Sequence, residues 1–164
     1  MPEIAARTVI QTPLGKIAIS ATELAIVSLE FLPTKSKLQD FSDSKYADKL
    51  VQDAKNQLLE YLAGHREAFN LKLAPHGTKF QQQVWKQIEK IPFGSVTTYG
   101  AIAKAIKRPL AARAVGGAVG ANPIAIFIGC HRVMGSSGAL TGYSGGSGLP
   151  TKRKLLELEG IEYR

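Results

Sequence analysis

The chain has 164 residues, a hydrophobic fraction of 45% and a formal net charge of +8. This length and composition are sufficient for one compact core or two small ones, which excludes extensive disorder. The sequence lacks a long apolar run and a signal-peptide pattern, and its single cysteine excludes an internal disulfide. We therefore expect a soluble, cytoplasmic protein.

The charge is distributed unevenly along the chain. Residues 1–75 hold nine basic and nine acidic side chains, whereas residues 76–164 hold twelve and four, so the second segment carries the whole excess. No acidic residue occurs between Glu89 and Glu157. An acid-free basic stretch is typical of a surface that contacts phosphates, although a basic face that contacts only solvent is an alternative. The basic side chains in this stretch include Lys104, Lys107, Arg108, Arg113 and Arg132.

The first segment has the pattern of a small α+β domain. Alternating apolar residues predict a meander of strands, and apolar residues at helical spacing then predict a helix that ends at Gly64. A turn-forming Pro-His-Gly sequence at 75–77 predicts the boundary, so we assign residues 1–75 to an N-terminal structural domain. The predicted elements are strands at 7–11, 16–20 and 24–31, a loop at 33–44, a helix from Tyr46 to Leu62 and a short strand at 68–73.

Helical patterns dominate residues 76–164, which we assign to a C-terminal domain. Thr78 and Gln81 fit a capping box, and the apolar stripe that follows includes Trp85, which we interpret as a core residue. Two later helices joined by a short turn resemble a helix-turn-helix. The later elements are a helix at 99–106 capped by Thr97 or Thr98, a turn at 107–109, a helix from Leu110, a buried strand at 124–128, a loop at 134–150 and a helix at 152–159 capped by Thr151.

The helix that starts at Leu110 contains three glycines, each of which costs about 1 kcal/mol relative to alanine in a helix interior. Gly116, Gly117 and Gly120 share one face with Arg113. Such a face lets another backbone approach closely. That backbone belongs either to a neighbouring element of this protein or to the narrow minor groove of DNA. The residues of the opposite, apolar face are Ala112, Val115 and Val119.

Cys130 is the candidate nucleophile. It lies between the predicted buried strand and a glycine-rich loop, and it is followed by His131 and Arg132, so a base and a cation are at hand. The alternative is an inert core cysteine, which predicts a thiol with no cavity between it and the glycine face. The cysteine and the histidines lack the spacing of a zinc site, so we expect no metal and no cofactor.

Several short motifs of the second segment resemble one known family when they are taken together. The motifs are Thr98-Tyr99, residues 112–118, Asn122-Pro123, residues 130–133, residues 142–146, Leu155-Leu156 and Glu159-Gly160. In this order and spacing they resemble the methylated-DNA–protein-cysteine methyltransferases, also called O-6-alkylguanine-DNA alkyltransferases. Residues 1–75 resemble that family only in length and in the coarse order of strands and helix. The resemblance implies a ribonuclease-H-like N-terminal domain and a winged-helix-like C-terminal domain, residues 76–164, that binds DNA and holds the active site.

The resemblance also implies a function, which is direct repair of double-stranded DNA. An alkyl group on the 6-oxygen of guanine passes irreversibly to Cys130, once per molecule, after minor-groove binding and flipping of the damaged base. Arg113 fills the gap that the base leaves in the stack. The protein is expected to act as a monomer. The residues that the resemblance assigns to DNA binding are Thr98, Ala112, Arg113, Gly116 and Gly117.

For catalysis, the resemblance implies a relay from Glu159 through His131 and a water to Cys130. We expect the water because neighbouring residues of an extended segment point to opposite sides. Asn122 braces the turn, and Tyr99 rotates the nucleotide and binds the base edge. Tyr99 and the backbone of Ser144 also neutralise charge on the departing guanine, and the carbonyls of Cys130 and Val133 accept hydrogen bonds from its amino group. The residues assigned to the substrate pocket are Tyr99, Val133, Tyr143, Ser144 and Ala125.

The chain departs from the family pattern at Gly129, where the family usually has proline. Glycine adds backbone freedom and an N–H group, so we expect transfer to persist at a lower rate. Three other functions fit the sequence less well: a module that binds alkylated bases without repairing them, a cysteine hydrolase, and a helix-turn-helix regulator. A binding module of the first kind would lack the cysteine. A cysteine hydrolase would place its histidine far from the cysteine in sequence, and a regulator would carry base-reading side chains on its second helix.

Overall fold

The computed structural model describes residues 3–143 and 145–163. The chain divides into two compact units, Met1–His76 and Gly77–Arg164. The first contains an antiparallel sheet and a helix, and the second is mostly helical, which confirms the predicted α+β class. Within the described residues, no helix combines the length and apolar character that crossing a membrane requires.

The first unit is an antiparallel sheet covered by one long helix. Strands β1 (Ala6–Thr12), β2 (Gly15–Ala21), β3 (Ile26–Leu32) and β4 (Phe41–Ser42) are arranged in the order β3-β2-β1-β4. Helix α1 (Lys45–Leu62) begins at the Ser44 cap and packs its buried residues against the sheet. Those buried residues recur every three or four positions, which is why this stretch forms an amphipathic helix.

Two predictions for this unit were wrong. The predicted strand at 68–73 is reduced to a single bridge between Leu73 and Ile26, and the predicted loop at 33–44 contains β4. Both errors concern pairings of one or two residues. Such pairings depend on the neighbouring strand and leave no periodic pattern in the sequence.

The second unit is built on three packed helices, α2 (Lys79–Glu89), α3 (Tyr99–Ala105) and α4 (Ala112–Gly120). The predicted capping box of Thr78 and Gln81 is present at the start of α2. Trp85 is buried, and its indole N–H donates to the Ala118 carbonyl at 2.8 Å, which joins α2 to α4. The interpretation of Trp85 as a core residue is therefore confirmed.

The remaining elements of this unit connect its helices to the cysteine segment. Strand β5 (Thr97–Thr98) pairs in parallel with β6 (Val133–Met134), and helix α5 (Leu149–Leu158) packs on the turn that holds Cys130. The prediction that α5 begins after a Thr151 cap was wrong, because the helix starts earlier. Pro150 occupies its first turn, where a missing N–H group costs nothing.

The predicted strand at 124–128 is also absent. The segment makes a tight turn in which the Phe127 N–H donates to the Ala125 carbonyl at 2.9 Å, and Ile126 has a φ of +73°. Asn122 explains this conformation. Its side chain accepts the Ile124 N–H and donates to the Ile128 carbonyl, so backbone groups that a sheet would pair are satisfied locally. An apolar run without periodicity does not distinguish these two outcomes.

Candidate active site

A cavity of about 400 Å³ lies between Cys130 and α4. The glycine-rich face of α4 forms one of its walls, because Gly116 and Gly120 present no side chain to it. Cys130 is only 6% exposed, yet its thiol opens into this space. An inert core cysteine has no such cavity, so the geometry excludes that alternative. The cavity is lined by Tyr99, Gly116, Val119, Gly120, Cys130, Gly142 and Tyr143.

Two consecutive tight turns deliver the sulfur to the cavity. The first is centred on Ile126, where positive φ in a β-branched residue stores strain on the order of 1–3 kcal/mol. The second is centred on Gly129, and its Cys130 N–H donates to the Ile128 carbonyl at 2.7 Å. The Asn122 side chain spans the first turn with hydrogen bonds of 2.8 Å and 3.0 Å. It thereby holds the strained backbone that positions the cysteine.

His131 is completely buried next to Cys130 and is hydrogen-bonded to Glu159, the residue that directly follows α5. Its Nε2 atom lies 2.6 Å from Oε2 of Glu159. A carboxylate can only accept, so Nε2 carries the proton of the neutral ring and Nδ1 keeps a free lone pair. Nδ1 makes no hydrogen bond to any described protein atom. It is therefore the atom of His131 that can take up a proton.

The expectation of an extended segment at the cysteine was wrong. Residues Cys130–Arg132 form a single 3₁₀ turn, with the Val133 N–H donating to the Cys130 carbonyl. The argument that alternation separates Cys130 from His131 therefore does not apply. The two side chains are instead directed by their different partners, the cavity for Cys130 and Glu159 for His131.

Arg132 was predicted to belong to the basic surface, and this was wrong. It is 8% exposed and forms a bidentate ion pair with Glu159, in which Nε and Nη2 each donate at 2.9 Å. A third hydrogen bond joins Nη1 to the Ile91 carbonyl at 2.8 Å, and the Gly94 N–H donates to the same carboxylate at 3.1 Å. The charge of Arg132 is used inside the protein and is not available to phosphates.

These neighbours set the charge state of His131. Burial lowers the pKa of the imidazole below its ordinary value, and the hydrogen bond and charge of Glu159 oppose this effect. The positive charges of Arg132 and Lys152 lower the pKa further. Because the net direction is downward, His131 is neutral at physiological pH and can act as a base.

Lys152 is a second buried cation, and sequence reasoning missed it. The side chain is 1% exposed, and its Nζ donates to the carbonyls of Val133 at 2.8 Å and Thr141 at 3.2 Å. Burial lowers the pKa of Lys152 to about 8, and the negative charge of Cys130 in its thiolate form acts in the opposite direction. The sequence did contain a signal for its burial. Leu155 and Leu156 follow Lys152 by three and four residues, so Lys152 lies on the apolar face of α5.

Burial favours the protonated form of the Cys130 thiol. Burial raises its pKa above the ordinary value. Hydrogen bonds from the side chains of Asn122 and Tyr143, together with the charge of Lys152, act in the opposite direction. A reaction at this sulfur therefore needs a base to remove the proton, or a bound group that stabilises the thiolate.

The other residues assigned from the sequence lie in different environments. Arg113 and Gly117 are exposed on α4, Ala112 is half-buried, and the Thr98 hydroxyl caps α3 by accepting the Ala101 N–H at 3.0 Å. Val133 and Ala125 are buried and are not among the described residues that line the cavity. Ser144 lies outside the described residues. Across residues 3–143 and 145–163, no cluster of three His, Cys, Asp or Glu side chains could hold a metal ion.

The chain is similar to proteins of one known family along almost its whole length. Residues 79–161 match the family model of the 6-O-methylguanine DNA methyltransferase DNA binding domain, and residues 6–75 match its ribonuclease-like domain. The methylated-DNA–protein-cysteine methyltransferase of Methanosarcina barkeri is 46% identical over 151 residues, which cover 92% of this chain and 94% of that protein. The constitutive enzyme of Bacillus subtilis is 42% identical and covers 96% of both chains.

A solved structure shows the same similarity in three dimensions. The Mycobacterium tuberculosis OGT in complex with DNA superposes with a TM-score of 0.81 at 41% sequence identity. The superposition covers 93% of this chain and 91% of that chain. Fold and sequence similarity therefore extend over both compact units.

Proposed function

Because this chain belongs to the 6-O-methylguanine DNA methyltransferase family, we propose that it is a methylated-DNA–protein-cysteine methyltransferase with Cys130 as its acceptor. It repairs double-stranded DNA that contains O-6-alkylguanine. The observation that carries the assignment of the acceptor is the cavity, into which the only cysteine of the chain opens opposite a wall of glycine. No cofactor is required, because the alkyl group is supplied by the damaged base.

The first step is removal of the thiol proton. Nδ1 of His131 is the free basic atom of a neutral ring, and Glu159 fixes that ring through Nε2 at 2.6 Å. Because Nδ1 makes no direct hydrogen bond to Cys130 or to any other described protein atom, we assign the proton transfer to His131 acting through a water, in a Glu-His-water-Cys relay. Asn122, Tyr143 and the charge of Lys152 then stabilise the thiolate that forms.

The second step is displacement at the alkyl carbon. The sulfur forms a bond to that carbon as the carbon–O6 bond breaks, and the electron pair of the broken bond passes to the purine. We assign the neutralisation of this charge to Tyr99 and to the backbone of Ser144. The proton that His131 took from the thiol passes to the purine, so that a neutral guanine leaves. The products are an S-alkyl cysteine and an ordinary guanine. None of the described residues that line the cavity can hydrolyse a thioether, so each molecule reacts once.

The approach to DNA is assigned to α4. Its exposed face offers backbone at glycine positions and one long cationic side chain, Arg113, which suits the narrow minor groove. A base flipped from the duplex enters the cavity from this side, and Arg113 occupies the gap that it leaves. Thr98, Ala112, Gly116 and Gly117 are assigned to the same surface. We expect a monomer that works in the cytoplasm.

The test is the intact mass of the protein after mixing with a duplex that contains a single 6-O-methylguanine. We expect the protein to gain one methyl group and the Cys130→Ala variant to gain none. An unmethylated duplex of the same sequence is the control. A wild-type mass that stays unchanged, while the duplex is bound, would support the module that binds alkylated bases without repairing them.

A further inference from the structure

The hydroxyl of Tyr99 is held by a residue to which neither the sequence nor the proposed mechanism gave a role. Tyr99 is the first residue of α3 and lines the cavity beside Gly116. Its Oη atom lies 2.8 Å from Oγ1 of Thr141, on the glycine-rich loop. This contact joins two segments 42 residues apart in sequence, at the cavity that both Tyr99 and Cys130 line.

The Thr141 hydroxyl has a fixed position because the rest of the residue is anchored. Its carbonyl accepts a hydrogen bond from Nζ of the buried Lys152 at 3.2 Å. Its Cγ2 methyl packs at Gly135 so closely that a Cβ added there would lie 3.2 Å away. The loop can therefore present the Thr141 hydroxyl to Tyr99 in one orientation.

The direction of this hydrogen bond matters for the reaction. Each hydroxyl has one hydrogen, so only one member of the pair donates to the other. If Thr141 donates to the phenol oxygen, the phenol hydrogen is free for an acceptor atom of the purine. Accepting that bond also polarises the phenol and makes it a stronger donor.

We propose that Thr141 is a positioning residue for Tyr99: its hydroxyl donates to the phenol oxygen and thereby aims the phenol proton at the departing guanine. This inference rests on the proposed function, because it needs a purine in the cavity. Thr141 is not among the described residues that line the cavity. Its effect passes entirely through Tyr99, and this distinguishes it from a residue that merely holds the loop.

A double-mutant cycle tests the proposal. Second-order rate constants for methyl transfer from duplex DNA are measured for the wild type, Thr141→Val, Tyr99→Phe and the double variant. Valine has the shape of threonine without the hydroxyl. We expect Thr141→Val to slow transfer by about fivefold, the rate equivalent of one neutral hydrogen bond, and Thr141→Ser to stay within about twofold of wild type.

The decisive comparison is made in the Tyr99→Phe background. We expect Thr141→Val to have no further effect there, and we expect the affinity of the Thr141→Val single variant for an unmodified duplex to equal that of the wild type. Losses that multiply in the double variant, or a Thr141→Val rate equal to wild type, would overturn the proposal. Thr141→Ala removes the same hydroxyl and replaces the valine variant should that protein prove unstable. A wild-type protein that gains no methyl group overturns the proposed function itself, which is a separate outcome.

Discussion

The two walls of the cavity are built on opposite plans. On the side of Cys130, buried charged and polar groups are tied together by short hydrogen bonds, and Glu159 alone accepts from His131, Arg132 and the Gly94 N–H. On the side of α4, the residues at the cavity are Gly116, Val119 and Gly120, and none of them is charged. The wall at Cys130 holds its reactive side chains in place through hydrogen bonds. The wall at α4 leaves space for a substrate because two of its residues have no side chain.

Filling the glycine wall is expected to have the largest effect. Gly116→Leu places a side chain in the space that the base must enter, so transfer should fall by a factor on the order of a hundred or more. The fold should not suffer, because replacing a helix glycine stabilises the helix by up to about 1 kcal/mol. Thermal unfolding and single-turnover kinetics together check this prediction.

Gly116→Ala serves as the graded control for that experiment. A Cβ at this position would lie 3.8 Å from Cδ1 of Tyr99, which is an ordinary contact, so we expect a much smaller loss of rate. If leucine reacted as fast as alanine, the glycine wall would not be the entrance for the base.

Breaking the opposite wall should mainly destabilise the protein. Arg132→Met leaves the buried carboxylate of Glu159 without its cation, which costs about 3–5 kcal/mol. Denaturant unfolding of wild type and variant measures this difference. An exposed arginine such as Arg113, changed to methionine in the same way, is the matched control and should change stability by less than about 0.5 kcal/mol.

The same variant sharpens the assignment of His131. Without the positive charge of Arg132, the pKa of His131 should rise, so the acid limb of the pH–rate profile should move to higher pH. In the wild type that limb should lie below about pH 6.5, because burial lowers the imidazole pKa. An acid limb that stays in place in Arg132→Met would mean that His131 is not the base.

Stability should follow the same titration. The folded state holds His131 neutral, so the unfolded state binds more protons at acidic pH. By linkage, stability from this group is present above the ordinary histidine pKa of about 6.5 and is lost as the pH falls through the lowered value. Unfolding measured as a function of pH in wild type and His131→Gln isolates this contribution. Equal pH dependences would contradict the lowered pKa.

The smallest effect is expected at Gly129. Its φ of −72° is already in the range of proline, so Gly129→Pro should stabilise the protein by about 0.4–1 kcal/mol by restricting the unfolded chain. The side chain of Arg132 must shift slightly, since a Cβ there would lie 3.1 Å from its Nη1 atom. We expect transfer to accelerate by a factor of about two or three. An unchanged rate and an unchanged stability would show that the glycine is neutral.

The sequence was most informative where a pattern repeats. The meander, the helix before Gly64, the capping box at Thr78 and the buried Trp85 were all predictable, because periodicity and caps are local properties. The segment at 124–128 was not, because the Asn122 side chain replaces the hydrogen bonds of a sheet. That is a side-chain interaction which composition does not reveal.

The electrostatics of the candidate site could not be predicted from the sequence. The family resemblance assigned Cys130, His131 and Glu159 to one relay, and the structure brings the last two into contact. The sequence did not indicate that burial raises the pKa of the thiol or that Arg132 is buried, because both depend on desolvation by the whole unit. The sequence alone does not distinguish an arginine that contacts phosphates from one that pairs with a buried carboxylate.

The most direct test of the central claim is to locate the transferred group. A duplex carrying a deuterated methyl group on the 6-oxygen of one guanine is mixed with excess protein, and the protein is digested and mapped by mass spectrometry. We predict that the label lies only on the peptide that contains Cys130, in an amount equal to the duplex added, and that the duplex returns fully to unmodified guanine. A label on any other residue, or a duplex that keeps its methyl group, would contradict the account.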